Sequence, residues 1–143
     1  MIQRVQTIWL LIGMIAAFLT LQFSFYSGTL ILNNHLDLPG NSFHSFVAKD
    51  NFILMVLTSA LGTALLINIF LFRHRSVQFK ICIIALLVEI IILFLYTRQL
   101  KQYSQGTMDI WAIFHLVILI TLILAARGIY NDQKLIKDSN RLR

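Results

Sequence analysis

The chain of 143 residues is 58% hydrophobic and 13% charged, with a mean hydropathy of +0.78. An ordinary soluble domain is roughly half apolar and a quarter charged, so a water-facing globular domain is excluded and lipid is the expected solvent. The net charge of +6 does not point to nucleic acid, because the Lys and Arg residues lie at the ends of apolar blocks rather than on one continuous face.

Residues 5–25 carry no charge, and about 20 apolar residues at helical rise cross a roughly 30 Å hydrocarbon core. This is the first predicted span. Arg4 before an apolar run also fits a secretory leader, but the run is longer than a leader's apolar region and has no clear small-residue cleavage site.

Residues 26–50 change character: Gly28, Asn33, Asn34, Asp37, Pro39, Gly40 and Asn41 supply turn formers, predicting an outer loop. Within it, residues 29–32 read as a short strand or an interfacial stretch. Asp50 is placed to cap the helix that follows.

Residues 51–72 form the second uncharged span, closed by Arg73, His74 and Arg75. The third, residues 80–97, opens on Lys80 and from Ile81 to Thr97 is interrupted only by Glu89. A short polar hairpin follows, and the fourth span covers residues 108–126, closed by Arg127. The tail, residues 127–143, mixes charges with Ile129, Leu135, Ile136 and Leu142. It reads either as an extension of the fourth helix along the membrane surface, drawn to anionic headgroups, or as a solvated tail.

Positive charge is retained in the cytoplasm during insertion. Arg4, Arg73, Arg75, Lys80, Arg127, Lys134, Lys137, Arg141 and Arg143 fall on one side and Lys49, Arg98 and Lys101 on the other, nine against three of the twelve. Both termini are therefore expected in the cytoplasm. Trp9 and Tyr130 near the inner boundary, and Tyr26, Tyr96, Tyr103 and Trp111 near the outer one, read as interfacial aromatic belts. The fold class expected is an all-α membrane protein, four transmembrane helices in an antiparallel bundle, forming one domain over residues 1–143.

The N-terminus Met1-Ile2-Gln3-Arg4-Val5-Gln6-Thr7 runs directly into an apolar span. The C-terminal part has Arg127-Gly128-Ile129, then Asp132-x-Lys134-Leu135-Ile136, and ends in Asn140-Arg141-Leu142-Arg143. The chain resembles, at these two ends, an uncharacterised family of four-span proteins from Bacteroidetes-type bacteria. The resemblance implies a protein of the bacterial inner membrane. It supplies no catalytic residues, and it suggests that both cytoplasmic ends serve as contact surfaces.

Glu89 is the most anomalous residue, since an ionised carboxylate near a span centre costs at least ~2.5–3.5 kcal/mol on insertion scales. It must be protonated, paired or hydrated. It precedes Arg98 by nine residues, about 13 Å, and His115 follows Met108 by seven, about 10 Å. The two side chains are therefore expected at similar depth, with Ser59 and Thr63 of the second span in the same zone. A carboxylate beside an imidazole can exchange a proton near neutral pH, or it can be a hydrogen-bonded pair that fixes helix register.

The small residues Ala60, Gly62 and Ala64 predict close helix approach in the second span. Gly13, Ala16, Ala17 and Thr20 form a similar face on the first, expected to pack on the second, and Asn68 reads as an interhelical hydrogen-bond donor. The single cysteine, Cys82, lacks any partner for a disulfide or zinc motif and is expected as a buried free thiol.

No metal site is expected, because His35, Asp37 and His44 on a loop fall short of the converging ligands that a metal needs; His74 belongs to the basic cluster. No Ser-His-Asp order, glycine-rich phosphate loop or HExxH helix is present, so neither catalysis nor a cofactor is expected. Those three loop residues are only a faint acid-base cluster for chemistry on a lipid substrate. The expected function is that of an accessory or structural subunit whose partners are membrane lipids and other membrane proteins or itself. The alternative is a small oligomeric proton-linked transporter or channel using Glu89 and His115.

Overall fold

A computed structural model describes residues 2–30, 43–72, 74–101 and 103–141. Arg73, Arg143, His35 and Asp37 lie outside the described residues, and of Arg4, Lys137 and Arg141 only the helical backbone is described. The chain is mostly helical, with α1 (Ile2–Thr20), α2 (Phe52–Phe70), α3 (Arg75–Leu100) and α4 (Ile113–Arg141), joined by β1 (Tyr26–Leu30), β2 (Phe43–Phe46) and β3 (Tyr103–Met108). By length and composition three helical stretches are long and apolar enough to cross a membrane, at Phe52–Phe70, Arg75–Leu100 and Ile110–Leu135, while Val5–Thr20 is a shorter apolar helix.

Helix α1 ends before the uncharged run does. Thr20 Oγ1 bonds back to the Ala17 carbonyl at 2.7 Å, and the following residues turn so that the Phe25 N–H reaches the Phe46 carbonyl at 2.9 Å. The cap of α2 also differs from the expectation placed on Asp50. Asn51 Oδ1 accepts the N–H groups of Ile53 and Leu54 at 3.0 and 3.4 Å, satisfying donors that no helical carbonyl reaches. Asp50 instead accepts the Val47 N–H at 2.8 Å. Helix α4 continues through 29 residues, about 43 Å at helical rise, so the basic tail is helical as far as Arg141.

Helix α1 packs against α2 and α4, and α3 packs against the same two. The shared core holds Leu10, Leu54, Leu65, Ile92, Ile118 and Leu122, each 1% exposed or less. Each helix also turns large apolar side chains outward: Ile8, Ile53, Phe70, Ile84, Phe94 and Leu116 are all more than half exposed. In water such a surface is an association liability; against lipid it is the expected exterior, because helices satisfy their own backbone.

The anticipated outer loop and polar hairpin contain a sheet: β1 overlaps the stretch read as a short strand or interfacial segment, whereas β2 and β3 correct the reading of their segments as loop and hairpin. Its strand order is β2-β1-β3 and both pairings are antiparallel, with Tyr26 opposite Phe46 on one side and Met108 on the other. Gly106 lies opposite Gly28. A Cβ at Gly106 would fall 2.5 Å from the Ser27 carbonyl oxygen and 2.8 Å from the Gly28 Cα, so glycine is what allows the two strands to approach here.

The small-residue faces are used differently from expectation. A Cβ on Gly13 would meet Thr121 of α4 at 2.8 Å and Leu65 of α2 only at 3.6 Å, so this face of α1 packs on α4 as well as α2. Gly62 receives the Phe18 ring, which would lie 3.1 Å from a Cβ there, and Ala17 is fully buried. Ala60 is exposed and Ala64 half-buried. They line an open groove between α2 and α3 rather than a helix contact within the bundle.

Candidate functional site

One face of α3 is buried at alternating three- and four-residue steps: Gln78, Cys82, Ala85, Glu89, Ile92 and Tyr96. That spacing is a single helical stripe, and it carries four polar side chains into the interior. Opposite it on α4, His115 is buried in the first turn and is followed along the helix by Ile118, Leu122, Ala125 and Ile129. The two elements bring Glu89 Oε1 and His115 Nδ1 to 2.7 Å, with side chains 1% and 3% exposed.

Aromatic rings close the pair off on the sheet side. Phe25 stacks on Tyr96 at 4.3 Å between ring centroids, Tyr96 meets the His115 ring edge-on at 5.0 Å, and Phe25 meets it at 5.4 Å. Phe46 of β2 adds a further edge contact to Tyr96 at 5.8 Å. Tyr96 is thus a core residue at 1% exposure, not part of an interfacial belt. A carboxyl and an imidazole at this distance share a proton, held either on the carboxyl and donated to Nδ1, or on Nδ1 and donated to the carboxylate. In both forms the polar atoms facing each other are satisfied without water, which a low-dielectric interior requires.

Ser59 and Thr63 do not join this site. Ser59 Oγ bonds the Val56 carbonyl at 3.0 Å, and Thr63 Oγ1 bonds the Ser59 and Ala60 carbonyls at 3.0 and 2.9 Å; both hydroxyls are satisfied by their own helix. The buried hydroxyl on α2 is that of Thr58, 2% exposed. Among the described residues, Thr58 Oγ1, Tyr96 Oη and Asn68 Oδ1 have no hydrogen-bond partner. Asn68 does bridge two helices, its Nδ2 donating to Cys82 Sγ at 3.1 Å while its backbone carbonyl accepts from Gln78 Nε2 at 3.2 Å. Cys82 is a buried free thiol.

Two further polar clusters lie at the ends of the bundle, and the sequence reading missed both. At one end Asp132 of α4, 4% exposed, accepts Gln6 Nε2 of α1 at 2.7 Å and pairs with Arg75 Nη1 of α3 at 3.4 Å. Gln133 Nε2 donates to the Arg75 carbonyl at 2.8 Å. Gly128 makes room for this contact, since a Cβ there would sit 2.8 Å from Gln6 Cγ. Arg75, read only as a topology signal, therefore also ties α3 to α4; Lys80, Arg127 and Lys134 are exposed.

At the sheet end, Asp109 Oδ2 accepts the hydroxyls of Ser24 and Ser27, the latter at 2.6 Å, and its N–H bonds the Phe25 carbonyl at 3.2 Å. On β3 the Tyr103 phenol is pushed above its ordinary range, first by partial burial and then by the charge of Asp50. Among the described residues no three His, Cys, Asp or Glu side chains converge, and His44 is exposed.

No curated protein and no solved structure matches the chain. Over residues 2–142 it matches the family described as Domain of unknown function (DUF4293), and the chain belongs to that family.

Proposed function

We propose that the chain is a four-span protein of a bacterial inner membrane, an antiparallel helical bundle with both termini in the cytoplasm, that serves as a non-catalytic accessory subunit of a larger membrane assembly. The antiparallel arrangement is supported by contacts that run in opposite order along neighbours: Gln6 with Asp132 and Gly13 with Thr121 for α1 and α4, continued by Phe23 after α1 against Trp111 before α4, and Phe79 with Tyr130 and Glu89 with His115 for α3 and α4. The orientation rests on the nine-to-three distribution of Lys and Arg, and the bacterial setting on the resemblance of the chain's two ends.

The subunit reading rests on one observation: the Glu89–His115 pair is paired internally and shut away by Phe25 and Tyr96. Its polarity is spent on holding helices together, while the outward surface is apolar and available to partners. Solubilisation in mild detergent followed by identification of what co-purifies tests this. A stoichiometric membrane partner is expected, and a clean homo-oligomer counts against the subunit role.

A second reading is favoured by the unpartnered Tyr96 Oη and Thr58 Oγ1, which offer spare hydrogen-bonding capacity in the same core. On it the chain is an oligomeric proton-linked transporter with Glu89 and His115 as the exchanging pair. Reconstituted Glu89→Gln protein should then lose proton-linked flux; unchanged flux removes the pair from any transport role.

A further inference from the structure

The α2–α3 seam carries two adjoining features that neither reading above uses. At its sheet end is a cavity of about 530 Å3 lined by Asn51, Leu54, Leu95, Arg98, Gln99 and Lys101, and Arg98 and Lys101 also border a second opening with Phe94 and Thr97. Further along the same seam lies a wholly apolar groove of about 340 Å3, walled by Ala60 and Ala64 of α2 and by Ile84, Ala85 and Val88 of α3.

The cations are electrostatically unbalanced. Arg98 and Lys101 stand three residues apart, on one face of α3 and its C-terminal cap, an arrangement that disfavours like charges. The ion pairs among the described residues are Arg75–Asp132 and Glu89–His115, so neither cation pairs with a described carboxylate. Of the described acids towards the sheet end, Asp50 accepts the Val47 N–H and Asp109 holds Ser24 and Ser27.

From this geometry we infer that the α2–α3 seam is a binding site for an anionic phospholipid, its phosphate held between Arg98 and Lys101 and one acyl chain running down into the Ala60–Ala85 groove. Arg98 and Val88 are ten residues apart, about 15 Å of helix, which is half of a roughly 30 Å hydrocarbon core. A chain anchored at Arg98 therefore ends in the groove. The small alanine side chains help leave the apolar groove open, and the cations favour a headgroup with net negative charge over a zwitterionic one.

The site rests on reading α2 and α3 as membrane spans, which carbonate extraction of native membranes checks separately: release of the protein overturns the span reading, while retention leaves the lipid site to stand or fall alone. For the site itself, full-length protein in mild detergent is titrated with palmitoyl-oleoyl phosphatidylglycerol or phosphatidylcholine and the complexes are counted by native mass spectrometry. Phosphatidylglycerol is expected to be retained preferentially, with an Arg98→Gln/Lys101→Gln variant losing about tenfold or more of that preference. Ala60→Phe/Ala64→Phe, which fills the groove at an exposed and a half-buried position, should weaken retention without lowering the melting temperature. Lys80→Gln, an exposed cation near the other end of α3, should change nothing, and millimolar inorganic phosphate should not displace the lipid. Equal retention of both lipids, a Lys80→Gln effect as large as that of the double variant, full retention by the groove variant, or displacement by phosphate would each overturn the proposal.

Discussion

Glu89 and His115 were legible in the sequence because each is an ionisable group inside an otherwise apolar run, where hydrocarbon tolerates none without a partner. Replacing His115 by Leu leaves the buried carboxyl facing an apolar wall, which should destabilise the bundle by about 1–3 kcal/mol, seen as an earlier thermal transition in detergent. Glu89→Gln, able still to hydrogen-bond the ring, should lose less. Joint replacement by Glu89→Leu and His115→Leu should recover most of the loss if the pair is structural, since an apolar pair leaves nothing unsatisfied.

The other buried polar residues were not legible, for physical reasons that differ. Gln6 and Asp132 lie at helix ends, where polarity is ordinary, and only the meeting of residues 126 positions apart makes them a buried bond. Thr58 and Ser59 differ by one position, about 100° around a helix, and a span apolar on all sides gives no periodicity to say which hydroxyl faces inward. Tyr96 at a span's end reads as a belt residue, yet Phe25, just before β1, and Phe46 of β2 cover it.

Tyr103 supplies a pH test at the same scale. Its phenol is raised in the folded state, mainly by burial, so its contribution to stability is complete below the ordinary tyrosine range near pH ~10 and is lost as pH rises through the folded value. Melting followed across alkaline pH should show a steeper decline for the parent than for Tyr103→Phe.

At the level of elements, the helices followed from uninterrupted apolar length, but their ends did not: α1 stops at Thr20, Asn51 rather than Asp50 caps α2, and α4 runs on to Arg141. Nor did the sheet. Tyr-Ser-Gly-Thr-Leu, Phe-His-Ser-Phe and Tyr-Ser-Gln-Gly-Thr-Met are short and mixed, and β3 pairs with a strand some eighty positions earlier, as in Ser27 opposite Thr107. Gly106→Val places side-chain carbon against the Ser27 carbonyl, which as backbone cannot give way; hydrogen exchange across β1 should rise sharply while α2 and α3 keep their protection. Gly128→Leu drives a side chain into Gln6 and should break the Gln6–Asp132 bond, destabilising the α1–α4 contact by about 1–3 kcal/mol, again measured by melting.

For the whole molecule, the two ends that carry the family resemblance meet in space. Gln6 from the first and Gly128 and Asp132 from the second form one contact, so a resemblance confined to chain ends marks one place in the fold. The cytoplasmic location proposed for it is testable. Single cysteines placed at Asn41 and Ser139 should react differently with an impermeant thiol reagent applied to intact cells, Asn41 strongly and Ser139 hardly at all. Equal labelling would overturn the proposed orientation.

The seam between Asp109 and Ser27 also sets an order of assembly. The two residues are 82 positions apart, and synthesis at about 5–20 residues per second separates their emergence by roughly 4–16 s. During that interval β1 is finished but one of its edges has no neighbour, and helix α1 has no α4 to rest on. The central strand of the sheet is thus made early and completed last, so the moment at which the nascent protein is most prone to mispairing falls between synthesis of its first helix and synthesis of its fourth.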